Sequence, residues 1–394
     1  MLPKHDFRMG LFAPNCCATP FPALWSVSLS SIVRNGLMER ALYSPHMNNF
    51  SAVGLPRIHL ATVSLSAAFC FYACTCVAQL AQPDGGSLER GTVPVHWLSE
   101  QAKCMEIPDW QVHEYNPNFF ILRQSPCTDY EKPFVFLIFG EEKAMLVDTG
   151  SRNGDLTPTL QRTLKNWLTR NGRTSIPLIV VHTHEHEDHI WGDGAIQAMH
   201  DPAMPVTFVP AELEATKKFY GIKSWPKDIG HVDLGGRVLD VIPIPGHSKV
   251  SVAFYDYKTG ILLSGDTVYP GRIYVLDFLA FEASLERLVK FTDDKPIAYI
   301  LGNHIEQSST PFVDYPVGTM YQPNEHELAL SRGALLELDA AVKSMHGTAR
   351  RYVMRDLSVW PVPPDFSATP AEKEDYERRI KEERAKMWDH TAQP

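Results

Sequence analysis

The chain is predicted to be an α/β protein with helices packed outside its sheet layers. Short runs rich in β-branched and aromatic residues alternate along it with amphipathic runs at helical spacing. One run, "IPLIVV" at 176–181, is apolar throughout, as in a strand buried on both faces. Hydrophobic residues make up 44% of the 394 positions and charged residues 21%, enough apolar material for a sizeable core.

In chain order, "NFFILRQ", "PFVFLIFG" and "KAMLVDTG" read as successive strands. Leu156, Leu160, Leu164, Trp167 and Leu168 then recur at helical spacing, with Pro158 near the start and Gly172 just past the end. After the 176–181 strand come a short helix, a strand "VTFV" and a helix around Ala211 to Tyr220. "RVLDVIPIPG", "VSVAFYD" and "GILLSGD" read as strands, Phe281, Leu285 and Leu288 mark a helix, and "IAYILG" is a last strand.

Before this region the chain differs in kind. Residues 1–57 read as an extension that is disordered or foreign to the natural product, with Met47 an alternative start. Residues 58–82 contain "LATVSLSAAFCFYACTCVA", which reads as a signal peptide, a membrane anchor or a buried helix. The first two readings place the protein outside the cytoplasm, periplasmic or secreted, or held at a membrane. Residues 83–105 read as a linker, 106–345 as the main domain, and 346–394 as an extension ending in a charged tail. Five of the seven cysteines lie in or before the apolar run, leaving Cys104 and Cys127 as a disulfide pair or as two separate thiols.

A net charge of −9 leaves no basic surface for nucleic acid, so the expected partner is a small molecule. No P-loop or dinucleotide fingerprint is present. Instead, "HTHEHEDH" at 182–189 crowds coordinating side chains onto the end of a strand. Histidine binds metal through a neutral ring nitrogen, and alternate residues of an extended segment share a side. His184 and His186 could therefore share one ion, while Asp188 and His189 serve a second. Further ligands must come from elsewhere, and His247, Asp266 and His304 each follow an apolar strand directly.

The order Asp148-Thr149-Gly150, His184-x-His186-x-Asp188-His189, His247, Asp266 and His304 resembles the metallo-β-lactamase fold superfamily over residues 106 to 345. The resemblance implies a four-layered αββα sandwich with its site at one edge. It implies that His184, His186 and His247 hold one metal, that Asp188, His189 and His304 hold another, and that Asp266 bridges them. Zinc is the implied metal, two ions per chain, with iron or manganese as alternatives. Asp148 would orient the site without touching metal, and His182 would be a supporting or packing residue.

The implied reaction is hydrolysis, in which a hydroxide bridging the metals attacks the carbonyl of an ester, thioester or lactone. Asp188 would orient this nucleophile and handle its proton. An aspartate at 266 resembles the hydroxyacylglutathione hydrolase branch rather than true β-lactamases. A β-lactamase, a phosphodiesterase and a single-iron persulfide oxidoreductase remain the alternatives. By the same resemblance, Tyr269, Arg272, Tyr274 and Tyr321 would reach the pocket rim, with Arg272 clamping an anionic group of the substrate.

Overall fold

The computed structural model describes residues 87–98, 107–362 and 378. The apolar run at 60–78, the extension before it and Cys104 lie outside them, as does the tail beyond 362 apart from residue 378. Among the described residues no helix is long and apolar enough to cross a membrane.

The chain runs through β1 (Trp110–Asn116), β2 (Phe119–Gln124), β3 (Phe134–Phe139), β4 (Ala144–Val147), α1 (Thr157–Arg170), β5 (Leu178–Val181), α2 (Glu187–Ile190), α3 (Asp193–Gln197) and β6 (Val206–Phe208). Next come α4 (Leu213–Tyr220), β7 (Gly230–Asp233), β8 (Val238–Pro243), β9 (Val252–Asp256), β10 (Ile261–Gly265), β11 (Arg272–Val275) and α5 (Phe278–Phe291). It finishes with β12 (Tyr299–Gly302), β13 (Ala329–Leu330), α6 (Arg332–Lys343), β14 (Tyr352–Val353) and β15 (Ser358–Pro361).

Two six-stranded sheets result, ordered β1-β2-β3-β4-β5-β6 and β13-β12-β10-β9-β8-β7. Their strands alternate by face, because successive side chains of a strand point to opposite sides. In β3, Phe134, Phe136 and Ile138 meet Val241, Phe254 and Leu263 of the other sheet. Val135, Leu137 and Phe139 face outward onto Leu160, Leu164 and Trp167 of α1. In β9, Phe254 faces the inter-sheet core while Ala253 and Tyr255 face Phe281, Leu285 and Leu335 of α5 and α6. The order helix, sheet, sheet, helix is the αββα sandwich, and burial on both sides makes the inner strands β3, β4 and β5 apolar throughout.

Two stretches differ from the sequence reading. Residues 87–98 pack rather than link: Glu89 N–H donates to the Lys258 carbonyl at 2.7 Å, and Trp97 is buried in the inter-sheet core. The fold also continues past 345, where β15 runs parallel to β11, pairing Arg272 with Ser358 and Val275 with Pro361. β14 completes this three-stranded sheet.

Candidate metal centre

The strands deliver their ends to one edge. Asp148 follows β4, His184 and His186 follow β5, His247 lies between β8 and β9, Asp266 follows β10 and His304 follows β12. Asp148 takes a left-handed backbone (φ 66°), which aspartate tolerates better than most residues and which turns the chain back at the strand end. His186 stays extended (ψ 149°) as the residue before α2, so that one helical turn brings in Asp188 and His189. Gly246 (φ 147°) lets the His247 loop lie on α5, where a Cβ would meet Phe281 Cα at 2.5 Å.

The side chains gather into two groups: His184, His186 and His247, and Asp188, His189, Asp266 and His304. Within each group the candidate ligand atoms lie within 4.8 Å of one another. Asp266 joins the two. Its Oδ2 lies 3.5 Å from Nε2 of both His189 and His304, 3.6 Å from His247 Nε2 and 3.9 Å from His184 Nε2. Asp188 Oδ2 lies 3.2 Å from His304 Nε2 and 3.4 Å from His189 Nε2.

The partners on the far side of each ring determine which nitrogen is free. His247 Nδ1 donates to the Tyr274 carbonyl at 2.7 Å and His304 Nδ1 to the Glu131 carbonyl at 3.0 Å. A carbonyl can only accept, so Nδ1 carries a proton and it is Nε2, the lone-pair nitrogen of the neutral ring, that faces the centre. His189 Nδ1 does the same to Asp148 Oδ2 at 3.1 Å. Thr183 Oγ1 donates to Asp148 Oδ2 at 2.8 Å and so accepts from His184 Nδ1 at 3.1 Å. Asp148 is fully buried and also accepts Thr183 N–H at 2.7 Å and Asn303 Nδ2 at 2.7 Å.

Charge follows this geometry. Burial alone would raise Asp188 and Asp266, but the neighbouring His189 and His304 hold both well below the ordinary carboxylate range. Burial lowers His184 well below the usual imidazole value, aided by repulsion from His189, and lowers His247 as well. For His189 and His304 burial is outweighed by Asp188 and Asp266, which push both well upward.

These residues fit metal ions. His186 Nδ1 lies 3.1 Å from His184 Nε2 and 3.0 Å from His247 Nε2, and His304 Nε2 lies 3.4 Å from His189 Nε2. Lone pairs facing one another at such distances repel unless a cation, or a proton for one pair, lies between them. Asp266 Oδ1 is buried with no hydrogen-bond partner, as a carboxylate oxygen reserved for a cation would be.

The other sequence candidates fall in different places. His182 turns away from the centre: its Nε2 meets Asp193 Oδ1 at 2.9 Å and its Nδ1 the Val209 carbonyl at 3.1 Å. Arg272 is not at a pocket rim. Its side chain is 3% exposed and its guanidinium binds Glu306 at 2.7 Å and Asp314 at 3.1 Å, which leaves it no free anion-binding face. Tyr269 is buried with its ring edge 5.7 Å from the His304 ring, its hydroxyl donating to the Arg272 carbonyl. Tyr274 serves through its carbonyl, and Tyr321 is 37% exposed. Of the motif spacers, Glu185 accepts from Ser248 Oγ and Glu187 pairs with Arg152.

Thr183, Asn303 and Glu131 were not singled out from sequence. Thr183 and Asn303 each directly precede a ligand histidine, which is the signal that could have marked them. Glu131 contributes only a backbone carbonyl, which leaves no side-chain trace.

The sequence profile of the metallo-beta-lactamase superfamily matches residues 130–344. The chain belongs to that superfamily. It is 25% identical over 233 residues to acyl-coenzyme A thioesterase MBLAC2 of Bos taurus, covering 51% of this chain and 83% of the relative. It is 29% identical over 164 residues to hydroxyacylglutathione hydrolase of Aeromonas hydrophila, covering 41% of this chain and 58% of that protein. Among solved structures, a metallo-beta-lactamase from Pontibacter korlensis is 17% identical, with a TM-score of 0.39 over 59% of this chain and 99% of its own.

Proposed function

We propose that this chain, a hydrolase of the metallo-beta-lactamase superfamily, binds two metal ions, zinc foremost, and hydrolyses an acyl thioester. The observation that carries this is the Asp266 carboxylate, whose Oδ2 lies within 3.5–3.9 Å of histidine nitrogens from both groups. His184, His186 and His247 would hold one ion, Asp188, His189 and His304 the other, and Asp266 both. Ions bound there would activate a shared water near neutral pH and polarise the substrate carbonyl.

The chain's own residues do the rest. Asp188, whose Oδ2 lies 3.4 Å from His189 Nε2 and 3.2 Å from His304 Nε2, would accept the nucleophile's proton at its carboxylate. Asp148, Thr183 and the carbonyls of Tyr274 and Glu131 hold the imidazoles with Nε2 inward, so little reorganisation is needed as charge develops. The thioester class draws on the two curated relatives, whose names describe an acyl group carried by coenzyme A or glutathione, both thiols. Ester and lactone carbonyls suit the same site.

A substrate panel tests this reading: ester, thioester, lactone, β-lactam and phosphodiester, each with and without chelator. Thioester turnover should lead and be lost on chelation. Preferential β-lactam or phosphodiester turnover, or indifference to chelator, would overturn it.

We also propose that the chain is exported, with or without retention at a membrane through residues 58–82. Cys127 is disulfide-bonded, which fits an oxidising compartment.

A further inference from the structure

Arg272 resembled a substrate clamp in the sequence, yet it is one of the most enclosed cations near the site. Every polar part of its side chain is engaged. Nη2 donates to Glu306 Oε1 at 2.7 Å, Nη1 to Asp314 Oδ2 at 3.1 Å and to the Tyr315 carbonyl, and Nε to the Tyr274 hydroxyl at 3.3 Å. Its backbone N–H donates to Glu306 Oε2 at 2.8 Å, and its carbonyl accepts from the Tyr269 hydroxyl. The guanidinium lies 5.8 Å from the ring centre of Trp360, on β15.

Three of these partners, Glu306, Tyr269 and Tyr274, lead to candidate metal ligands. Glu306 is two residues beyond His304, and its backbone N–H is held by the Pro270 carbonyl at 2.9 Å. Tyr269 is three residues beyond Asp266, and its ring edge lies against His304. Tyr274, at the far side of Arg272, gives its carbonyl to His247 Nδ1 at 2.7 Å. The segments that follow Asp266 and His304 therefore meet at one guanidinium, and the strand carrying it holds His247 through the Tyr274 carbonyl.

We propose that Arg272 is a positioning residue that, through the Glu306 pair, fixes the relative placement of Asp266, His247 and His304 and thereby sets metal affinity. The inference rests on the metal-binding reading of the site, but not on the substrate. Arginine is required for geometric reasons: its planar fork serves two carboxylates, a carbonyl and a hydroxyl at once, which the single ammonium of lysine cannot. Glu306 and Asp314 would otherwise be left partly buried without their cation. The ring centre of Trp360, beyond the residues that the superfamily profile matches, lies 5.8 Å from the guanidinium, which brings the C-terminal strand beside this support.

The test compares the full-length chain with Arg272→Gln, Arg272→Lys and the charge-neutral pair Arg272→Gln/Glu306→Gln. Metal-free protein is titrated with zinc by calorimetry, and the cobalt-loaded forms are compared by visible absorption. Arg272→Gln should bind at least one ion about tenfold more weakly. It should also show an altered cobalt spectrum, while kcat on the best substrate falls more than KM rises. Arg272→Lys should recover part of the affinity, and it carries the test if the glutamine variant does not fold. Wild-type zinc affinity and an unchanged cobalt spectrum in a folded variant, with only KM raised for anionic substrates, would overturn the proposal in favour of a clamp. A wild-type chain that binds no metal would overturn it together with the metal reading. Metal binding without thioester turnover would overturn the substrate reading alone.

Discussion

Asn303 donates through Nδ2 to Asp148 Oδ2 at 2.7 Å, joining residues 155 apart in sequence that follow strands of different sheets. The same nitrogen also reaches the Phe134 carbonyl at 2.6 Å. Asn303 thus ties the carboxylate that orients His189 to the residue preceding His304.

Asn303→Ala should cost about 1–3 kcal/mol, since it leaves buried acceptors short of a donor. Zinc affinity should fall about tenfold through lost orientation of His189. Urea unfolding of the metal-free chain and a zinc titration read the two effects. A variant unchanged in both would show that Asp148 is held by Thr183 alone.

A second buried pair lies nearby. Arg123 and Glu325 are both 0% exposed and joined through both oxygens of the carboxylate. Glu325→Gln should destabilise by about 3–5 kcal/mol, because it strands a buried guanidinium. Replacing both partners with apolar residues should cost less than the single change. A double-mutant cycle with additive losses would contradict this coupling.

The pH dependence of stability should change sign with metal. In the metal-free chain His189 and His304 are raised, so their contribution is complete below about pH 6.5 and lost as pH rises through their folded values. Asp188 and Asp266 are depressed, so theirs is present above about pH 4 and lost as pH falls through their folded values. His184 and His247 are lowered, so stability also falls as pH drops below about 6.5, and the metal-free melting temperature should peak near that pH. Zinc competes with protons for the same imidazoles, so zinc-loaded protein should gain stability as pH rises toward neutral. Parallel melting curves for both forms would contradict the assignment.

Much of this centre was legible in the sequence because metal ligation demands particular side chains at particular strand ends. The register of "HTHEHEDH" came from resemblance, and the structure shows physically why His182 stands apart: Asp193 and the Val209 carbonyl occupy both its nitrogens. Arg272 was misread because its partners Glu306 and Asp314 are 34 and 42 residues away and nothing local marks an arginine as enclosed. Tyr274 and Glu131 act through carbonyls, which any residue could supply. β14 and β15 escaped notice because strands of two and four residues are too short to establish a period, and only pairing with β11 defines them.

Cys127 is disulfide-bonded, and Cys104 is its expected partner. Non-reducing peptide mapping of the purified protein should recover a Cys104–Cys127 linked peptide. Recovery of both as free thiols would remove that pairing and the support it lends to export.

The central claim is that Asp266 serves two metal ions, and metal counting on the Asp266→Ala variant tests it most directly. Metal per chain is measured by mass spectrometry on zinc-loaded protein, with thioester turnover followed in the same samples. The wild-type chain should hold about two ions, and Asp266→Ala about one, kept by His184, His186 and His247, with turnover reduced about a hundredfold or more. Asp266→Ala protein that keeps both ions and near wild-type turnover would show that Asp266 bridges nothing.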